Sequence, residues 1–167
     1  MAIDPGNIES AYCVIDEDDF KPVMFDKIDN RDLESMMCEG AFIDARSFVI
    51  ERVASYGMPV GREVFDTCEW IGRFTQIIRM KYSMNPNFVY RIDEKEVICH
   101  DTRASDANIR RALIDRFAKH DLRNGKGTKK KPDWFYGFKA DVWAAYSVGL
   151  TYLEAEKARI DMWKRNV

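Results

Sequence analysis

The chain has 167 residues, of which 46% are apolar and 32% charged, and this composition is typical of a globular domain with a real hydrophobic core. A net charge of −2 argues against a protein that binds nucleic acid over its whole surface. No apolar stretch is long enough to span a bilayer. No secretory signal begins the chain and no two of its four cysteines form a C-x-x-C pair, so we expect one cytoplasmic domain over residues 1–167, without a zinc site.

The first part of the chain predicts three short strands and a helix. Residues 2–4 form a strand, Pro5 and Gly6 a turn, and residues 11–16 a strand that returns antiparallel. A third strand over 20–28 contains Pro22, which favours an edge position or a late start. The helix that follows ends at Gly40.

The rest of the chain alternates strands and helices. "SFVIE" (47–51) and "FVYRI" (88–92) predict strands, and the segments 62–84, 104–120 and 139–163 predict helices. We expect Phe65, Trp70 and Phe74 on the first of these helices to be core, with a portion as dimer interface. The order of the elements predicts an α/β fold with a mixed sheet and helices on its faces.

Three acids lie at the ends of predicted elements: Asp4 ends the first strand, Glu51 ends the strand 47–51, and Asp141 opens the last helix. Adjacent parallel strands bring their ends together, and a helix packed on that face can bring Asp141 to the same place. Because clustered carboxylates repel one another, a divalent cation is the simplest compensation, and oxygen ligands favour Mg²⁺ or Mn²⁺. Two such ions can support hydrolysis of a phosphodiester.

Each of these acids alone also fits a structural role. An Asp before Pro-Gly is a frequent turn residue, Glu51 suits an exposed strand end, and Asp141 interacts favourably with the helix dipole. Their joint order along the chain is more specific than any one of them.

That order carries a resemblance to a known family. "AIDPGNIESAYCVID", "FVIERVASYGMPVG", "TRASDANIRRALIDRF", "GTKKKP" and "KADVWAAYSVGLTY" occur in the order of the family's motifs. The chain resembles the RuvC-like Holliday junction resolvases of the ribonuclease H-like superfamily, in particular the bacteriophage forms. The resemblance spans nearly the whole sequence and implies a ribonuclease H-like fold, with a mixed five-stranded sheet and helices on both faces.

The resemblance also implies an activity. Family members hydrolyse paired phosphodiesters at four-way DNA junctions as homodimers, with Mg²⁺ or Mn²⁺, and leave 5′-phosphate ends. Asp4 would bridge two ions, Glu51 would hold one and orient the attacking water, and Asp141 would hold the other. A phage-encoded enzyme would act in the interior of the host cell.

One position departs from the family's pattern. Bacterial members have two acids one helical turn apart in the last motif, but here Asp141 is followed at that spacing by Ala144. Either three carboxylates suffice, or another acid substitutes. Asp133 is the candidate, because Glu154 is too many turns along the helix.

Several basic and aromatic residues are candidates for contact with DNA. Lys126, Lys129, Lys130 and Lys131 form a local basic patch, and Gly125 and Gly127 let its backbone approach a ligand closely, although such runs are often solvated loops. Arg52 and Arg103 are candidate phosphate contacts, and Tyr56 is a candidate for stacking at an opened junction. Two alternatives stay open: a branched-DNA binding protein with weak or no catalysis, and a nuclease that also cuts forks and flaps.

Overall fold

The computed structural model describes residues 1–55, 57 and 59–165. Its strands are β1 (Ala2–Asp4), β2 (Glu9–Ile15), β3 (Pro22–Asp29), β4 (Val49–Arg52) and β5 (Asn87–Tyr90). Its helices are α1 (Asn30–Glu39), α2 (Arg62–Tyr82), α3 (Arg91–Cys99), α4 (Asp106–Phe117) and α5 (Val142–Arg165).

The strands form one mixed sheet in the order β3-β2-β1-β4-β5. β1, β2 and β3 are antiparallel neighbours, whereas β4 pairs in parallel with β1 and with β5. β3 lies at an edge and begins at Pro22, where a residue without an N–H does not interrupt a central ladder. The predicted mixed five-stranded α/β sheet is confirmed.

Alternation along the strands divides the core between the two faces of the sheet. Ala11 and Cys13 pack with α4 and α5 on one face, while Ile3 and Tyr12 pack with α1 and α2 on the other. Gly149 lets α5 approach the sheet closely, because a Cβ at this position would crowd the side chain of Ile15. Helices therefore cover both faces, as predicted.

Helix α3 was not predicted from the sequence. The strand expected over 88–92 ends at Tyr90, and Arg91 begins the helix. Its start is marked by Asp93, whose carboxylate accepts a hydrogen bond from the backbone N–H of Tyr90 at 2.9 Å. The helix spans only 9 residues and has a weak apolar pattern, so its periodicity does not distinguish it from the strand before it.

The core prediction for α2 is only partly right. Phe74 is fully buried, but Phe65 is 60% exposed and does not belong to the core. The buried residues are instead Thr67, Phe74, Ile78 and Tyr82. Their spacings of seven and four place them on a narrower face of the helix.

Helices long and apolar enough to cross a membrane are absent from the described ranges.

Candidate active site

Asp4 and Glu51 lie side by side at the carboxyl ends of two parallel strands. Ile3 of β1 pairs with Ile50 of β4, so the next residue on each strand occupies the same edge of the sheet. The carboxyl of Asp4 shares a hydrogen bond with the carboxylate of Glu51. This pair needs a proton or a cation between its two acids, because two ionised carboxylates within hydrogen-bonding distance repel each other.

The turn after Asp4 is held by a small buried network. The side-chain amide of Asn30 donates to the carbonyl of Gly6 at 2.9 Å, and the backbone N–H of Gly6 donates to Ser10 Oγ at 3.2 Å. Ser10 Oγ in turn donates to Asn30 Oδ1. Ser10 and Asn30 are fully buried, and their hydrogen bonds hold the turn that follows Asp4 in one conformation.

Burial is the main reason why the pKa values of Asp4 and Glu51 lie above their ordinary values. Burial, followed by the charge of Glu51 and the hydrogen bond to it, raises the pKa of Asp4 well above its ordinary value, and the charge of Asp141 adds to the effect. Burial also raises the pKa of Glu51, against the opposing effects of Asp4 and Arg91. The cluster is therefore short of positive charge.

Asp141 lies immediately before α5, and its carboxylate is paired with a lysine. Its backbone carbonyl accepts a hydrogen bond from the N–H of Ala145 at 3.0 Å, which starts the helix. Its Oδ2 lies 2.7 Å from Nζ of Lys27, which also lies 3.4 Å from Oε2 of Glu9. Asp141 thus acts on Asp4 through its charge, while its own carboxylate is held by the edge strand β3.

A fourth carboxylate belongs to the same group, and sequence analysis missed it. Glu94 on α3 is fully buried. Its Oε2 accepts a hydrogen bond from Arg91 at 2.6 Å, and Arg91 also donates to Oδ1 of Asp106 at 2.6 Å. Burial, together with the charges of Glu51 and Asp4, raises the pKa of Glu94 to about 9.

The available signal for Glu94 was weak. It is one of two adjacent acids, Asp93 and Glu94, in a segment where acidic side chains ordinarily suit an exposed helix start. Its burial depends on the packing of α3 against α5 and on the position of β5, neither of which appears in the local pattern of residues.

The donor set fits a hard divalent cation in its chemistry. Asp4, Glu51 and Asp141 supply only oxygen, and Oε1 of Glu94 is buried without a hydrogen-bond partner in the described part of the chain. Within residues 1–55, 57 and 59–165, no three His, Cys, Asp or Glu side chains form a group that could hold a metal ion as they stand. A cation would therefore have to draw these carboxylates closer together, and Lys27 competes with it for Asp141.

Asp133 organises a loop. Its carboxylate accepts backbone N–H groups of Lys119, His120, Asp121 and Trp134 at 2.7–3.1 Å. Although burial opposes the effect, these donors lower the pKa of Asp133 below its ordinary value. Because its oxygens are already used, this carboxylate has little capacity left to bind a metal.

The predicted lysine patch lies on a tight turn in the same loop. Thr128 and Lys131 exchange backbone hydrogen bonds at 2.9 and 3.1 Å, which places Lys129 and Lys130 at the tip of the turn. Gly127 has a φ of +66° and forms an isolated bridge with Pro132.

The lysines of this turn are available to a ligand. Lys129, Lys130 and Lys131 are exposed, and Lys126 is partly buried at the base of the turn. The loop then leads to Asp141 at the start of α5. Such an ordered turn presents its charges without a large loss of conformational entropy on binding.

Two other candidate DNA contacts, Arg52 and Arg103, lie outside this loop. Arg52 ends β4 next to Glu51, and its guanidinium lies 5.2 Å from the centre of the Phe88 ring. The side chain of Arg103 is 93% exposed. Tyr56 lies outside the described residues, so its stacking role stays a prediction.

Two solved structures share this fold over nearly the full chain. One is the structure of Thermus thermophilus RuvC, with a TM-score of 0.64 and 10% sequence identity, covering 94% of this chain and 95% of that one. The other is T. thermophilus RuvC in complex with Holliday junction substrate, with a TM-score of 0.65 and 11% identity, covering 96% and 94%. No protein-family model and no curated protein matches the sequence. At this identity the similarity shows that the chain has the fold of RuvC.

Proposed function

We propose that residues 1–167 form one RuvC-like nuclease domain of the bacteriophage type, within the ribonuclease H-like superfamily. It is a metal-dependent endonuclease that resolves four-way and other branched DNA junctions by paired phosphodiester hydrolysis, and it leaves 5′-phosphate ends. The observation that carries this proposal is the carboxylate pair of Asp4 and Glu51 at the ends of β1 and β4, in a chain with the RuvC fold over nearly its full length.

The site residues have distinct roles in this proposal. Asp4, on the central strand, would help to hold both cations, Glu51 would hold one of them and orient the attacking water, and Asp141 would hold the other. When bound, Mg²⁺, or Mn²⁺ as its substitute, activates a water and stabilises the charge on the phosphate oxygens.

Releasing Asp141 from Lys27 costs little. The two side chains are 48% and 32% exposed, and ion pairs with this exposure contribute at most about 1 kcal/mol. Asp141 is therefore free to turn from Lys27 toward Asp4 when a cation is present.

The lysine turn supplies affinity for the DNA backbone. Lys126, Lys129, Lys130 and Lys131 contact phosphates, and Arg52 and Arg103 add further contacts. Each phosphate contact contributes about 0.9 to the slope of log affinity against log salt concentration. We expect the double change Lys129→Gln and Lys130→Gln to lower this slope by about 1 to 2.

A matched lysine serves as the control for that measurement. Lys21 is exposed and lies just before Pro22, which pairs with Ile15 at the end of the sheet opposite Asp4. Lys21→Gln should leave the slope unchanged. An unchanged slope for the double variant would contradict the role of the turn.

The proposed chemistry is tested with a labelled synthetic four-way junction in Mg²⁺, in Mn²⁺ and in EDTA. We expect paired symmetric nicks with ligatable ends in Mg²⁺ and in Mn²⁺, and no cleavage in EDTA. Asp4→Asn should lower cleavage by about 100-fold or more while the junction is still bound. Asp44→Asn, at an exposed acid beside the opposite end of the sheet, should cleave like the wild type.

Junction cleavage by Asp4→Asn at the wild-type rate would contradict the assigned site. The homodimer is tested separately, by sedimentation of the protein alone and of its junction complex. A two-fold symmetric dimer places one site on each of two equivalent strands, which explains paired cuts.

A second function has its own support. Ala144 removes one family acid, and no metal-holding group of three side chains stands ready in the described residues. A branched-DNA binding protein with weak or no catalysis would bind junctions equally in EDTA and in Mg²⁺, and would cut with neither metal. Cleavage assays on forked and flap DNA then distinguish a strict junction resolvase from a nuclease with broader substrate specificity.

A further inference from the structure

We propose that Glu94 is an additional metal-holding carboxylate of this site, in the role that Ala144 leaves without an acid. This inference rests on the proposed function, because it assigns one more residue to the same metal centre. The first support is position. β5 pairs in parallel with β4 so that Val89 lies opposite Glu51, and α3 begins directly after β5. The first turns of α3 therefore lie beyond the strand end that carries Glu51.

The second support is an oxygen with no hydrogen-bond partner. Glu94 has no exposed surface, and its Oε1 lacks a partner among the residues that the structure describes. A buried polar oxygen without a partner is costly, and binding an ion is one way in which a native protein satisfies it. The other oxygen, Oε2, is held by Arg91, which keeps the side chain in one orientation.

The third support is the balance of charge. Arg91 is partly exposed, with 24% of its side chain accessible, and it is shared between Glu94 and the exposed Asp106. One shared guanidinium does not neutralise the ionised forms of Glu94, Asp4 and Glu51, so without a cation the cluster favours protonated carboxyls. A divalent cation reached by Oε1 supplies the missing positive charge.

The simpler alternative is that Glu94 exists only as the partner of Arg91. The two interpretations differ in what the removal of Arg91 does. If Glu94 only pairs with Arg91, replacing either residue perturbs the site in the same way. If Glu94 holds a cation, Arg91→Gln removes a competing positive charge, and cation binding should be kept or strengthened while Glu94→Gln weakens it.

The test measures Mn²⁺ binding to the metal-free full chain without DNA, by electron paramagnetic resonance of the free ion. We expect Glu94→Gln to weaken binding by about tenfold or more. Glu96→Gln is the matched control, because it makes the same chemical change at an exposed position two residues along α3, and it should bind like the wild type. Asp4→Asn reports on the centre as a whole and should also lose affinity.

A second variant covers the case in which Glu94→Gln does not fold. Glu94→Asp keeps the charge but withdraws the oxygens by one methylene, so it should fold and bind Mn²⁺ more weakly than the wild type. Mn²⁺ binding by Glu94→Gln or Glu94→Asp equal to that of the wild type, with Asp4→Asn impaired, would overturn the role of Glu94 alone. Undiminished binding by Asp4→Asn would instead overturn the metal centre of the proposed function.

Discussion

Replacing Asp133 by Asn tests whether this residue orders the basic loop. The carboxylate accepts four backbone N–H groups, with Trp134 on Oδ1, with His120 and Asp121 on Oδ2, and with Lys119 shared between the two oxygens. Asn keeps one acceptor oxygen but presents an NH₂ group to the donors on the other side. If the remaining oxygen takes the Oδ2 position, at least the backbone N–H of Trp134 loses its partner, in a site where the side chain is 1% exposed.

The expected loss follows from these contacts. A buried donor left without a partner costs about 1–3 kcal/mol, so we expect the free energy of unfolding to fall by about 1–3 kcal/mol at pH 7. The backbone donors hold the pKa of Asp133 below its ordinary value. The stability that it contributes is therefore present above about pH 4, the unfolded-state pKa, and is lost as the pH falls further through the folded-state pKa.

Urea unfolding followed by circular dichroism measures this effect, in EDTA so that metal does not contribute. The difference between wild type and Asp133→Asn should be largest at pH 7 and should shrink below about pH 4. Asp44→Asn, an exposed control, should unfold like the wild type. A difference below about 0.5 kcal/mol at pH 7 would refute the assigned role of the hydrogen bonds. Junction affinity should fall with stability, because Lys129 and Lys130 lose their fixed turn.

Three further predictions concern the site and its loop. The metal-free native protein keeps a proton on Glu94, whose pKa is about 9, above the pH at which the unfolded chain loses it. As the pH rises from about 5 to 9, the free energy of unfolding of the wild type should therefore fall relative to that of Glu94→Gln, by up to about 1.4 kcal/mol per pH unit. Urea unfolding at a series of pH values measures this, and a difference that does not change with pH would contradict it. Gly127→Ala should lower stability by more than about 1 kcal/mol and weaken junction binding in a filter assay, because φ is +66° and a Cβ would collide with the carbonyl of Lys131. Lys27→Gln should strengthen Mn²⁺ binding by up to about fivefold, because the lysine no longer competes for Asp141, and weaker binding would count against that competition.

Much of the framework was predictable from local patterns. The short strands around the turn at Pro5 and Gly6, the apolar run before Glu51 and the order of strands and helices predicted a mixed sheet with acids at strand ends. The structure confirms that sheet and places Asp4 beside Glu51. These features depend on side-chain period and turn chemistry, which neighbouring residues specify by themselves.

The tertiary structure alone decided which charged groups meet. Lys27 on the edge strand holds Asp141 at the start of the last helix, and Asp133 is used within its own loop. Glu94, on a helix that the sequence did not predict, is buried close enough to Asp4 and Glu51 for their charges to act on it. A sequence pattern shows which face of an element is apolar, but the partner of a charged side chain depends on how distant elements pack, since electrostatic energy depends on distance and burial in space.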